Sequence, residues 1–168
     1  MRHLTQAAVG VAGTLAALSL AAGAFIYSGV YNIGADDHHT RLVLALIGQL
    51  RDRSIAVRAG AIAVPDLDDP GRIAAGARQY AQRCAGCHLA PGVTRSDLRP
   101  GLYPHPPNLV QADPPDARRA FWTIKHGIKM SAMPAWGQRL DDVAIWDVVA
   151  FVRKLPSLTQ EAYGQLAQ

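Results

Sequence analysis

Five adjacent residues, Cys84-Ala85-Gly86-Cys87-His88, limit this chain more than any other stretch. The spacing C-x-x-C-H is the attachment signature of a c-type haem. Two thiols separated by two residues can reach the two vinyl groups on one porphyrin edge and add across them as thioethers. The adjacent His88 imidazole then falls on the iron as proximal ligand. Ala85 and Gly86 are small and crowd nothing. Two other chemistries share the C-x-x-C core. A thioredoxin-like redox pair needs a βαβ context, and no strand pattern surrounds this motif. A zinc site needs a second ligand pair; Cys84 and Cys87 are the only two cysteines, and His105 and His126 do not form such a pair. A chain organised by this motif must wrap a large flat cofactor, so the haem c and its iron are part of the expected core.

The N-terminal quarter constrains location. No charged residue occurs from Thr5 to Ala35, and Ala7 to Tyr31 is a largely apolar run of 25 residues. As a helix that run is about 37 Å long, enough to cross a hydrocarbon core of about 30 Å with some tilt. Arg2 precedes it, and Tyr27 and Tyr31 sit at its far end, where aromatic belts lie. Ala22-Gly23-Ala24 offers a cleavage site for a signal peptidase, but the apolar run is longer than a signal peptide core and continues past that site. The expectation is a retained, single-pass anchor in the bacterial inner membrane. Covalent haem is attached outside that membrane, so the N-terminus is expected inside and the haem domain in the periplasm.

The remaining chain reads as helices and loops. Asp36-Asp37-His38-His39 marks the exit from the apolar run and reads as a solvated linker. From Thr40 to Ala59, Leu42, Val43, Leu46, Ile47 and Leu50 follow helical spacing, with arginines in the latter half. Such a helix could lie on a membrane surface, cover the haem domain or dock a partner. Small residues, prolines and aspartates from Ala59 to Pro70 read as linker. Asp69 as N-cap and Pro70 at the first helical position open a helix that runs to about Arg83. Gly76 inside it costs helix stability unless another backbone packs there. After a proline-rich, irregular stretch to Asp113, a short helix is predicted over 116–126. A last helix, Val143 to Leu155, is capped by Asp141 and Asp142 and closed by Pro156. No β pattern of any length is present. The expected organisation is a signal-anchor helix at 1–35, an amphipathic helix and linker at 36–68, an all-α monohaem domain at 69–156 and a tail at 157–168.

The iron's other face needs a ligand or stands open. Of the three methionines, Met1 is at the wrong end of the chain. Met133 lies 45 residues after His88 and is followed by Pro134, which favours extended backbone suited to presenting a thioether. Met130, His105 and His126 are the alternatives. Thioether sulfur opposite imidazole is a common low-spin pair.

Taken together, Cys84-Ala85-Gly86-Cys87-His88, Pro107-Asn108-Leu109, Met133-Pro134-Ala135-Trp136 and the helix carrying Trp146 and Phe151 resemble, in that order, the class I cytochromes c. The resemblance covers about residues 69–156. Small membrane-anchored bacterial monohaem cytochromes carry a stretch similar to Phe121–Lys129, Phe-Trp-x-x-Lys-His-Gly-Ile-Lys. The resemblance implies the class I fold, helices packed around one covalent haem with a loop-rich middle. It implies Met133 as sixth ligand and the Pro107 carbonyl as acceptor of the His88 ring N–H, and it puts Trp136 in the haem pocket. It also implies that Gly76 and Tyr80 cross Phe151. The loop between His88 and Pro107 departs from the pattern in being proline-rich and basic, so propionate contacts are not implied.

The formal charge of +4 is split evenly about Val64 and forms no basic run with interleaved aromatics, so nucleic acid is not an expected partner. The expected function is electron transfer by a membrane-tethered haem c in a respiratory chain, with no small-molecule substrate and no catalytic residue. The expected partners are redox proteins, a terminal oxidase or a membrane dehydrogenase. An alternative is an integral cytochrome subunit of a respiratory oxidoreductase complex. An open-site haem enzyme or gas sensor would require the sixth ligand to be missing. Lys125, Lys129 and Arg139 flank the methionine loop and could steer an acidic partner, or be ordinary solvated charges.

Overall fold

The computed structural model describes residues 2–168, and Met1 lies outside the described residues. The chain divides into two compact units between Asp37 and His38. The first is dominated by α1, Arg2–Ser28, which is long and apolar enough by composition to cross a membrane. It ends three residues earlier than the apolar run. Gly29 adopts φ +64°, the left-handed conformation that terminates helices and that glycine takes without a Cβ penalty. The uncharged helical part still exceeds 20 residues, which is sufficient for a span.

The regular structure of the second unit is helical apart from one isolated bridge, Ala90 to Val93, with irregular loops between the helices, and no strand occurs among the described residues. Each longer helix starts where an oxygen side chain can satisfy an otherwise orphaned N–H. Thr40 caps α2 (Arg41–Ala59), Asp69 caps α3 (Pro70–Arg83), Asp116 caps α5 (Ala117–His126) and Asp141 caps α6 (Asp142–Lys154). A single turn, α4 (Ala85–His88), carries the second cysteine and the histidine. The segment 157–168, read as a tail from sequence, forms a further helix, α7 (Gln160–Leu166), capped by Thr159. Its Tyr163 and Leu166 pack on the core.

The core is built on the crossing of α3 and α6. Gly76 makes it possible: a Cβ there would overlap the backbone carbonyl of Asp147 and stand 2.9 Å from Phe151 Cβ. The close approach brings Tyr80 and Phe151, both fully buried, to a ring separation of 5.2 Å. Ala77, Val148, Val152 and Leu155 fill the space around them. The other side of α6 joins α5, where Phe121 stacks on Trp146 at 4.2 Å, with Ile145, Val149 and Ala117 beside them. α6 is therefore buried on two faces, which is why its apolar residues are nearly continuous.

α2 packs on α5 and buries Ile55 and Ala59, and the Arg119 guanidinium donates to the Asp52 carbonyl at 3.3 Å. The irregular stretch after it is held as well. Ile62 and Leu67 pack on the Phe121–Trp146 cluster, and Arg118 Nε donates to the Ile62 carbonyl at 3.0 Å. Residues read from sequence as linker thus belong to the second unit. At its start, His38 stacks on Tyr103 at 4.5 Å, with His105 edge-on to His38 at 6.1 Å.

Candidate functional site: the cysteine-histidine turn and the methionine loop

Cys84 ends α3, its N–H donating to the Tyr80 carbonyl at 2.9 Å. The chain then makes one more turn. The N–H groups of Cys87 and His88 both donate to the Cys84 carbonyl, at 3.0 and 2.9 Å. Residues three and four apart on a helical turn are neighbours on one face, so a turn of this kind keeps both thiols and the imidazole together. Both cysteines are free and half-buried. Burial pushes the Cys84 thiol up to about 12, so it is held as the neutral S–H.

Three contacts lock this turn from outside. Leu89, the next residue, has φ +65°, an uncommon conformation for a branched side chain. Its carbonyl accepts a 2.6 Å hydrogen bond from the Tyr80 hydroxyl, whose burial raises the phenol far above its ordinary range and keeps it a donor. Arg99 donates to the Cys87 carbonyl at 2.7 Å, and Ser96 donates to the Gly86 carbonyl. None of the three is visible as a motif, because each partner comes from a loop or from the preceding helix.

His88 is fixed at two points. Its Nδ1 lies 3.0 Å from the Pro107 carbonyl, and its own carbonyl accepts from Leu109 N–H at 3.2 Å. A carbonyl can only accept, so Nδ1 carries the proton and Nε2 keeps its lone pair. Burial lowers the His88 pKa, with the Pro107 hydrogen bond opposing in part, which favours the neutral ring. A neutral imidazole with Nε2 available, on the same turn as two free thiols, is the donor set that a covalently attached haem c requires. When bound, the haem supplies a one-electron ferric–ferrous couple.

The methionine loop is closed on itself. Gly127 has φ +65°, and a Cβ there would stand 2.7 Å from the Met133 carbonyl oxygen and 2.8 Å from Ala135 N. Ile128 N–H donates to the Met133 carbonyl at 3.1 Å. The Ser131 hydroxyl donates to the Ile128 carbonyl at 2.8 Å and accepts from Met133 N–H at 3.2 Å. Met133 and Trp136 are half-buried, whereas Met130 is 99% exposed at the loop's tip. His105 is exposed and engaged with His38; His126 is exposed and lies 4.8 Å from the Trp122 ring. Of the three cations around the loop, Lys125 is committed to structure. It pairs with Asp142 at 2.6 Å and lies 5.5 Å from the Phe121 ring. Lys129 and Arg139 are exposed.

Comparison with known proteins points to the same class of cofactor. Residues 71–152 match the family described as cytochrome c oxidase, cbb3-type, subunit III. A stretch of 84 residues is 33% identical to the gluconate 2-dehydrogenase cytochrome c subunit of Pantoea cypripedii, and takes in 46% of this chain. The chain spans only 19% of that relative's length. No solved structure matches. The family match and the relative's cytochrome name agree on one conclusion: residues 71–152 are a c-type cytochrome domain, similar to class I, that takes a covalently bound haem c, which supports an electron carrier rather than an enzyme.

Proposed function

We propose that this protein is a membrane-tethered carrier whose haem is attached through Cys84 and Cys87 and ligated axially by His88 and Met133. The observation that carries the reading is the His88–Pro107 contact, which leaves Nε2 free to bind iron beside two free thiols. Met133 is favoured as sixth ligand because it is the half-buried methionine of a closed loop, while Met130, His105 and His126 are all exposed. With both axial positions filled, the site exchanges electrons and binds no substrate, which argues against an open-site enzyme or sensor. Trp136, half-buried three residues after Met133, is assigned to the pocket wall on the sequence resemblance.

The loop's geometry gives a direct test of the ligand assignment. Gly127→Ala adds a Cβ in a left-handed backbone position, against the backbone of Met133 to Ala135. Strain of about 1–3 kcal/mol is expected there. The methionine–iron charge-transfer band in the near infrared should weaken or vanish in the ferric variant while covalent haem is retained. An unaltered band would detach Met133 from that role.

The anchor reading rests on α1, which continues uninterrupted past Ala22-Gly23-Ala24. We assign the haem domain to the periplasmic side of the inner membrane and its exchange to a terminal oxidase or membrane dehydrogenase. A second reading is favoured by the relative, itself named as the cytochrome subunit of a dehydrogenase: this chain is a permanent subunit of such a complex. Purification from native membranes in mild detergent separates the two. A stand-alone carrier elutes as a single haem-stained chain, and a subunit co-elutes in fixed ratio with a larger protein. N-terminal sequencing of the same sample checks the anchor, since a mature start at Phe25 in a periplasmic extract would make the protein a diffusible carrier.

A further inference from the structure

We propose that the outward face of α2 lies on an anionic lipid surface and holds the cytochrome domain against the membrane; the inference rests on the anchor reading of α1. α2 has two apolar sides. Ile55 and Ala59 face the domain and are buried, at 7% and 1% exposure. Leu42, Leu46 and Leu50 are four residues apart, and Val57 follows seven after Leu50, so on a helix of 3.6 residues per turn they form one stripe. All four are 62–73% exposed. Because α5 occupies the opposite side of the same helix, the domain's own packing cannot cover this stripe.

The composition of α2 favours lipid over a protein partner. Arg41, Arg51, Arg53 and Arg58 face a single acidic residue, Asp52, which Arg51 already pairs at 2.8 Å. The helix holds no aromatic residue. Protein interfaces centre on aromatic anchors, which α2 lacks, whereas aliphatic side chains accompanied by arginines are the pattern of helices that lie in the membrane interface. Each arginine near an anionic surface adds attraction. The chain between Ser28 and Arg41 gives a tether of at most about 45 Å. It is shortened by a turn in which Asp37 N–H donates to the Gly34 carbonyl at 3.1 Å. The start of α2 cannot leave the vicinity of a membrane that α1 crosses.

The test uses the full-length, haem-loaded protein in nanodiscs of phosphatidylcholine containing a minor share of phosphatidylglycerol. A photoreactive diazirine amino acid is placed in turn at the Leu18, Leu50 and Glu161 positions, and haem absorbance verifies that each variant is folded. Lipid adducts are expected at positions 18 and 50 and not at 161. The adduct at 50 should be lost in phosphatidylcholine alone and in the Arg51→Gln, Arg53→Gln, Arg58→Gln triple variant. Labelling at 18 without labelling at 50 leaves the anchor standing and overturns the proposal. Absence of lipid adducts at 18 removes the anchor reading and the proposal with it. A cross-link from position 50 to a second copy, or to another protein in native membranes, overturns it. Labelling at 50 that ignores lipid charge overturns the anionic assignment.

Discussion

Gly76→Ala should destabilise the cytochrome domain by about 3 kcal/mol or more, at the upper end of what overpacking a core costs. The obstacle to the new methyl is the Asp147 carbonyl in the middle of α6, which cannot rotate aside as a side chain could. Relief requires α3 and α6 to separate along their crossing. That separation would loosen the Tyr80–Phe151 contact and the Arg72–Asp147 ion pair at 2.8 Å. Against a total stability of about 5–15 kcal/mol for a domain, such a loss should appear as a clear drop in the urea midpoint of the holoprotein and in haem-loaded yield. Gly48→Ala in α2 is the control. No heavy atom lies within 4 Å of the added Cβ there, so the substitution should be neutral or slightly stabilising. Equal losses from both variants, or no loss at Gly76, would mean that the crossing does not set the response.

Met133→Ala should abolish the methionine–iron band, admit carbon monoxide to the reduced iron, and lower the reduction potential by on the order of tenths of a volt, since axial ligands set much of the haem potential range. Met130→Ala, at a side chain 99% exposed, should leave spectrum and potential unchanged. Loss of the band in the Met130 variant alone would move the ligand to that residue. A wild-type spectrum that lacks the band while remaining low-spin would point to His105 or His126. The loop explains why the effect should be local. Its shape is held by Ser131 and by the Ile128–Met133 hydrogen bond, both through backbone or hydroxyl groups that the Met133→Ala change leaves in place.

Much of this was legible in the sequence where the chemistry is local. Cys84, Cys87 and His88 are neighbours in the chain, and the caps Asp69 and Asp141 each act on an N–H three residues ahead. The need for a packed backbone at Gly76 could also be read from a glycine interrupting an otherwise good helix. What the sequence concealed is non-local or carried by backbone. Tyr80 reaching the Leu89 carbonyl and Arg99 reaching that of Cys87 leave no periodic trace. The positive φ of Gly127 becomes informative only once the loop is seen to return onto it. α2 reads as diffusely amphipathic because its two apolar sides serve different surroundings, so their spacings overlap in the chain. α7 is short and contains Gly164, and its signal was limited to the Thr159 cap and the three-residue spacing of Tyr163 and Leu166.

The electron-transfer reading depends most on both axial positions being filled by His88 and Met133. The most direct measurement is the near-infrared spectrum, by absorption and magnetic circular dichroism, of the purified full-length protein in the ferric state. The expected result is a low-spin iron with a methionine charge-transfer band. A high-spin ferric spectrum, or a low-spin spectrum of the bis-histidine type, would contradict it.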